Sequence, residues 1–181
     1  QYPAIKAYLA QYRERLEPGK KGGRKPGSYK WYEIQDNIAY YAEFDKPKIV
    51  WGNLSITPQF ALDNQSLYVS APAVILVADQ LRYLLGVLNS GISYYLLRLS
   101  GAERRGDYIE YKPMYVGQVP VPEPTLTQRA AIEDVVQQLL DHEGQGPEVP
   151  ALEAELNRLV YEVYGLTEEE IAIIEREVGA Q

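Results

Sequence analysis

The 181-residue sequence has no cysteine, one methionine, one histidine, two phenylalanines and two tryptophans. Without cysteine there is neither a disulfide framework nor a thiolate metal site, and a reducing, cytoplasmic setting is expected. The one histidine, His142, sits between Asp141 and Glu143 with no second imidazole to complete a zinc site, so it reads as a solvated helix end. No apolar run reaches the ~18 residues that span a bilayer, so no membrane partner is expected. No charged-then-apolar leader opens the chain, which starts on Gln1 rather than Met, as an excised domain would. Catalytic signatures are missing as well. Methyl transfer to a DNA base needs a glycine-rich turn after a strand to hold S-adenosylmethionine, and an Asn/Asp-Pro-Pro-aromatic motif to hold the flipped base. Neither motif occurs. The densest glycines, Gly19, Gly22, Gly23 and Gly27, follow a helical segment, and no Gly-Lys-Ser/Thr completes a P-loop.

What is present is ordinary in bulk and uneven in detail. Hydrophobic residues make up 46% and charged residues 24%, the range of a globular chain able to bury a core. Sixteen tyrosines dominate the aromatics, and Tyr combines a stacking face with a hydroxyl suited to wet interfaces. The net charge of −7 is unevenly spread. Residues 1–122 hold 15 basic and 11 acidic side chains, a balance of +4; residues 123–181 hold 3 and 14, a balance of −11. Such asymmetry points to two roles in one chain. The first segment suits a polyanion, and the second would repel one.

Periodicity gives the elements. Ile5, Tyr8, Leu9, Tyr12 and Leu16 have helical spacing over 2–16, with Pro3 in the first turn and Pro18-Gly19 as the stop. Residues 18–31, PGKKGGRKPGSYKW, contain too many Gly and Pro for regular structure and form a basic loop. Strands are expected in KPKIVW, ITPQFAL, SLYVS and AVILVA, with Asp63-Asn64 as a hairpin turn. Residues 79–99 read as an amphipathic helix with Asp79 as N-cap and a bend at Asn89-Ser90-Gly91. DYIEYK and YVGQVPV read as closing strands. Helices follow from Thr127 to about His142, over about 150–164, and over 167–178, the last opened by a Thr167/Glu170 capping box. The stripe Leu152, Leu156, Leu159, Val160 and Val163 must bury against the domain, a partner domain or another chain. The fold class is therefore α/β in the α+β sense: a small, mostly antiparallel sheet with helices over 1–124, then a helical appendage over 125–181.

The basic and aromatic set is Lys20, Lys21, Arg24, Lys25, Tyr29, Lys30 and Trp31, joined by Arg104 and Arg105. Lys and Arg neutralise phosphates and Arg also reads guanine edges, so these residues are the candidate double-stranded DNA contacts. Trp51 reads as core. A second constellation, Asp107, Glu110 and Lys112, has the carboxylate-and-lysine character of a metal-dependent nuclease, although in an extended strand Glu110 and Lys112 share one face and Asp107 the other. A third possibility is a protein-interaction module that uses the acidic C-terminal helices.

Six pieces occur in one order: YPAIKAYLAQYRERLEPG, GSYKWYEIQD, YYAEFDKPKIVW, ITPQFALDNQSLYVSAPAVILV, LRYLLGVLNSGISYYLLRL and RRGDYIEYKPMYVGQVPVPEP. Over residues 2–124 this order resembles the TaqI-like C-terminal specificity domain of adenine-N6 DNA methyltransferases and fused restriction enzymes. The tail LVYEVYGLTEEEIAIIE resembles the helical end of restriction-modification proteins. The resemblance implies DNA target recognition without catalysis in this chain, next to an N-terminal, Rossmann-like methyltransferase domain that carries S-adenosylmethionine. One departure is Ile34-Gln35-Asp36, where the family pattern is expected to have Leu-Arg.

Overall fold

A computed structural model describes residues 2–36, 38–104 and 106–179. Among them are eight α-helices and two three-stranded antiparallel sheets, an α+β architecture. The chain divides into two compact units, Gln1–Glu43 and Phe44–Gln181. No helix among the described residues is long and apolar enough to cross a membrane.

The first unit opens with α1 (Pro3–Ala10) and α2 (Arg13–Leu16). The expected single helix breaks at Gln11-Tyr12, where the Tyr12 amide reaches back only three residues, to the Leu9 carbonyl. Neither helix buries a residue, so packing does not enforce continuity. A 3-10 turn, Tyr41–Asp45, carries the chain into the second unit.

There, β1 (Lys48–Gly52) lies between β3 (Ala61–Asp63) and β4 (Ala73–Leu76), pairing with both. The expected Asp63-Asn64 hairpin is therefore corrected: the segments on either side of that turn are separated by β1. SLYVS is not a strand either. The Asp63 carboxylate accepts the amides of Gln65 (2.7 Å) and Leu67 (2.9 Å), and Ser66 has a positive φ of 57°, so the backbone curls around Asp63. The same carboxylate meets the fully buried Lys48 ammonium at 2.5 Å, and Lys48 also donates to the Phe44 carbonyl at 2.7 Å. The hydrogen bond from Lys48 is the main cause holding the Asp63 carboxyl below its usual range.

The second sheet has the order β2 (Leu54–Ser55), β6 (Tyr108–Glu110), β5 (Glu103–Arg104). Two bonds join the sheets. Trp51 Nε1 donates to the Tyr111 carbonyl (2.7 Å), and the Tyr111 amide donates to the Asn53 carbonyl (2.9 Å). Trp51 is thus a buried core residue, in contact with Phe60 at a ring distance of 5.3 Å. The expected closing strand YVGQVPV is instead α5 (Pro113–Val116) followed by irregular chain. Pro113 takes the first helical position, where its fixed φ favours a helix, and Val116 and Val119 both turn inward at helical spacing.

The predicted 79–99 helix is two helices, α3 (Leu81–Asn89) and α4 (Gly91–Ser100). Ser90 is extended between them. The Val87 carbonyl accepts both the Ser90 and the Ser93 hydroxyl at 2.6 Å, which satisfies the buried polar groups at the break. Asp79 is not the N-cap; Gln80 takes that place in a left-handed conformation. The C-terminal helices are α6 (Leu126–Asp141), α7 (Val149–Tyr164) and α8 (Glu168–Gly179). Thr125 rather than Thr127 caps α6, because Gln128 completes a capping box with it; Thr167 and Glu170 do the same for α8.

The Leu stripe of α7 finds its partner inside the unit. α3 packs on α6 and α7, and α4 on α8, with Ile132, Leu156, Val160 and Ile174 buried in the same core as Val87, Leu88 and Leu97. This approach depends on two glycines. A Cβ on Gly86 would stand 2.9–3.1 Å from Ile132, Val136 and Leu156, and one on Gly91 would collide with the Tyr161 hydroxyl. The Tyr161 hydroxyl is buried with no hydrogen-bond partner among the described residues, and burial pushes its pKa up to about 12. Gly91→Ala is expected to destabilise the protein by ~1–3 kcal/mol in urea unfolding. Because the collision is with an oxygen that makes no hydrogen bond, Tyr161→Phe should cost little alone and restore most of the Gly91→Ala loss. Equal, additive losses would show that the clash lies elsewhere.

Candidate nucleic-acid interface

The predicted contact residues fall in two places, each described by itself. In the first unit Arg24 organises the loop. Its Nε donates to the Leu16 carbonyl (2.9 Å), Nη1 to Glu33 (2.7 Å), and Nη2 to Trp31 (2.8 Å) and Lys30 (3.3 Å). One guanidinium thus gathers the carbonyls on both sides of the basic loop, so four of its five N–H donors are spent on the chain. The backbone closes under it: the Gly19 amide bonds the Arg24 carbonyl at 3.0 Å and the Gly23 amide bonds the Lys20 carbonyl at 2.9 Å. Gly19 and Gly22 have φ of 75° and 79°, a region that favours glycine.

Around this tie the other predicted residues separate by role. Tyr29 lies under the Arg24 guanidinium, 4.7 Å from its ring centre, with its hydroxyl donating to the Lys25 carbonyl. Lys30 pairs with Glu33 at 3.4 Å, and the Lys30 amide is the first cause lowering the Glu33 pKa. Trp31 is half-buried edge-on to Tyr32, with Arg13 over its ring at 5.4 Å. Lys20, Lys21 and Lys25 are exposed, and no carboxylate among the described residues pairs with them. They are the free charge of the loop. Gln35, at the departure from the family pattern, stands 3.4 Å from the Tyr29 hydroxyl.

Sequence reasoning missed Lys6 and Arg13 as members of this aromatic-cationic set. Lys6 lies 4.7 Å from the Tyr32 ring centre. Their spacing of seven residues, two helical turns, was the available signal.

In the second unit, Arg104 lies on β5, opposite Tyr108 of β6. Arg105 lies outside the described residues. Glu110 is buried and binds two cations: Arg104 through Nε (2.9 Å) and Nη2 (2.5 Å), and Lys112 through Nζ (2.8 Å). Lys112 first and Arg104 second hold the Glu110 carboxyl below its usual range. Asp107 is in the turn at φ 62°, and among the described residues no three His, Asp or Glu side chains converge in a metal-binding cluster. The convergence the nuclease reading required is not formed among them. His142 is exposed at the C-cap of α6.

The charge follows the structural division. Residues 1–43 hold eight basic and five acidic side chains, and residues 44–181 hold ten and twenty. A tied, lysine-bearing loop on a net-positive unit, and a β-hairpin with an oriented arginine, are elements of a nucleic-acid-binding protein. The sequence profile of the TaqI-like C-terminal specificity domain matches residues 4–121. The chain belongs to that family of specificity domains. No curated protein matches its sequence.

Removing the tie should loosen the loop before anything else. Arg24→Ala is expected to speed tryptic cleavage after Lys20 and Lys21 by about tenfold or more, since several bonds to a charged group are lost. Unchanged cleavage would mean that Arg24 does not hold the loop.

Proposed function

We propose that this chain is the DNA target-recognition part of a restriction-modification adenine-N6 DNA methyltransferase and that it is non-catalytic by itself. Residues 1–124 carry recognition and residues 125–181 brace it. The observation that carries this reading is the Arg24-tied loop, in which Lys20, Lys21 and Lys25 are exposed and paired with no carboxylate among the described residues, on a chain whose family is defined by specificity. An anchored loop loses less conformational freedom on binding, so more of the phosphate attraction appears as affinity.

Within the proposal, the ligand is double-stranded DNA approached through the major groove, and the partner is an N-terminal methyltransferase domain. That domain would carry S-adenosylmethionine. The residues of this chain do not fit the cofactor, since Gly19, Gly22, Gly23 and Gly27 follow α2 instead of a strand. A cytoplasmic setting belongs to the same reading. The apolar stripe on α7 is used by the core of its own unit, so its burial calls for no protein partner.

Titrating the chain with a random-sequence duplex over a range of salt tests the reading. Binding should weaken steeply with salt, and neutralising Lys20, Lys21 and Lys25 together should reduce the log–log slope by ~2–3, at ~0.9 per phosphate contact. An absence of salt-dependent binding would contradict it.

A further inference from the structure

The small sheet β2-β6-β5 has an inner and an outer face. Ile109 is buried on the inner face with Ser55 and Glu103 as its register partners. Directly paired residues share a face, so Leu54 and Glu110, and Arg104 and Tyr108, form the outer one. Leu54 and Tyr108 are exposed, and Arg104 keeps 54% of its side chain in solvent, yet the carboxylate that holds it is only 11% exposed.

The manner of that hold matters. Arg104 gives Glu110 its Nε–Nη2 side, with both bonds on Oε1, while Lys112 takes Oε2. The other edge of the guanidinium, Nη1 with the second Nη2 hydrogen, has no partner among the described residues and remains free for a second planar acceptor pair. For a phosphate grip this arrangement is poor, because Glu110 cancels one of two positive charges. For reading it is well suited, because the arginine is oriented before the ligand arrives. Guanine O6 and N7 form the acceptor pair that arginine meets two-fold in the major groove, which admits a two-stranded ribbon. The β5–β6 hairpin forms one edge of its three-stranded sheet, turned at Gly106 (φ 81°) and Asp107 (φ 62°), with β5 as the free edge strand that carries Arg104.

The geometry points to Arg104 as a specificity-determining residue that reads a guanine edge in the DNA target, with Glu110 as its positioning residue. This rests on the DNA-recognition reading above and goes beyond it, since there Arg104 only needs to touch the duplex.

The test is selection from a duplex library with about 12 randomised base pairs, one turn of major groove, using the full chain at low salt and sequencing the bound fraction. Wild type, Arg104→Ala, Arg104→Lys and Glu110→Gln are compared. The wild-type motif should contain a guanine at one position. Arg104→Ala and Arg104→Lys should flatten that position alone, by about 5- to 150-fold, and leave the others intact. Glu110→Gln should weaken the same position in part, an effect that a purely structural role would not confine to one base. The exposed Arg104 variants keep the test decisive if Glu110→Gln folds poorly. If Arg104→Ala weakens all sequences alike and lowers the salt slope by ~1, Arg104 is a phosphate contact and the inference fails while DNA recognition stands. Salt-dependent binding by wild type with no enriched motif also overturns it. No salt-dependent retention by wild type overturns the DNA reading, and this inference with it.

Discussion

The second unit depends on how closely α3 and α4 approach the C-terminal helices. Gly86 and Gly91 leave room there that no other residue leaves, and Ile132, Val136, Leu156 and Tyr161 fill it. Interiors at this packing density tolerate neither a gap nor an added methyl without cost. The consequence runs outward from that contact. α6, α7 and α8 share one core with the α3–α4 pair, and that core carries Ile49 and Trp51 of β1 and Ile109 of β6. Of the small sheet that displays Arg104, Ile109 joins that same core.

Both candidate contact elements use the same device: a buried or half-buried polar group that orients cations. In the first unit Arg24 is itself the organiser, and its satisfied donors leave the neighbouring lysines as the free charge. In the second unit Glu110 is the organiser and the arginine is displayed. The distinction separates two kinds of work, since mobile lysines attract any duplex while an oriented arginine distinguishes bases. Net charge alone hides this. A chain at −7 reads as a poor DNA binder until the residues of its first 43 positions, at +3, are counted separately.

Much of the fold was legible because long periodic segments and caps are local signals. The three C-terminal helices, the Thr167/Glu170 box and the strands around 48–51 and 73–76 follow from spacing alone. The failures came from distant partners. SLYVS has strand-like residues, but the Leu67 amide, like that of Gln65 just before the segment, goes to Asp63, whose carboxylate is fixed by Lys48 fifteen residues earlier. The Asn89-Ser90-Gly91 run predicts a bend; the Val87 carbonyl, accepting two hydroxyls, makes it a complete break. For the site, sequence shows where charge is, but not what each charge already holds. Arg24 reads as one cation among five in its loop, and Glu110 as one of a nuclease-like trio with Asp107 and Lys112, until their partners are seen.

We propose that DNA contacts the tied basic loop and the hairpin outer face, each in its own unit, and not the acidic helices. The most direct measurement is an amide chemical-shift titration of the isotope-labelled chain with a duplex at low salt. The account predicts perturbations concentrated in residues 18–31 and 103–112, with α6, α7 and α8 largely silent. Perturbations concentrated in α6–α8, or none anywhere at saturating duplex, would contradict it.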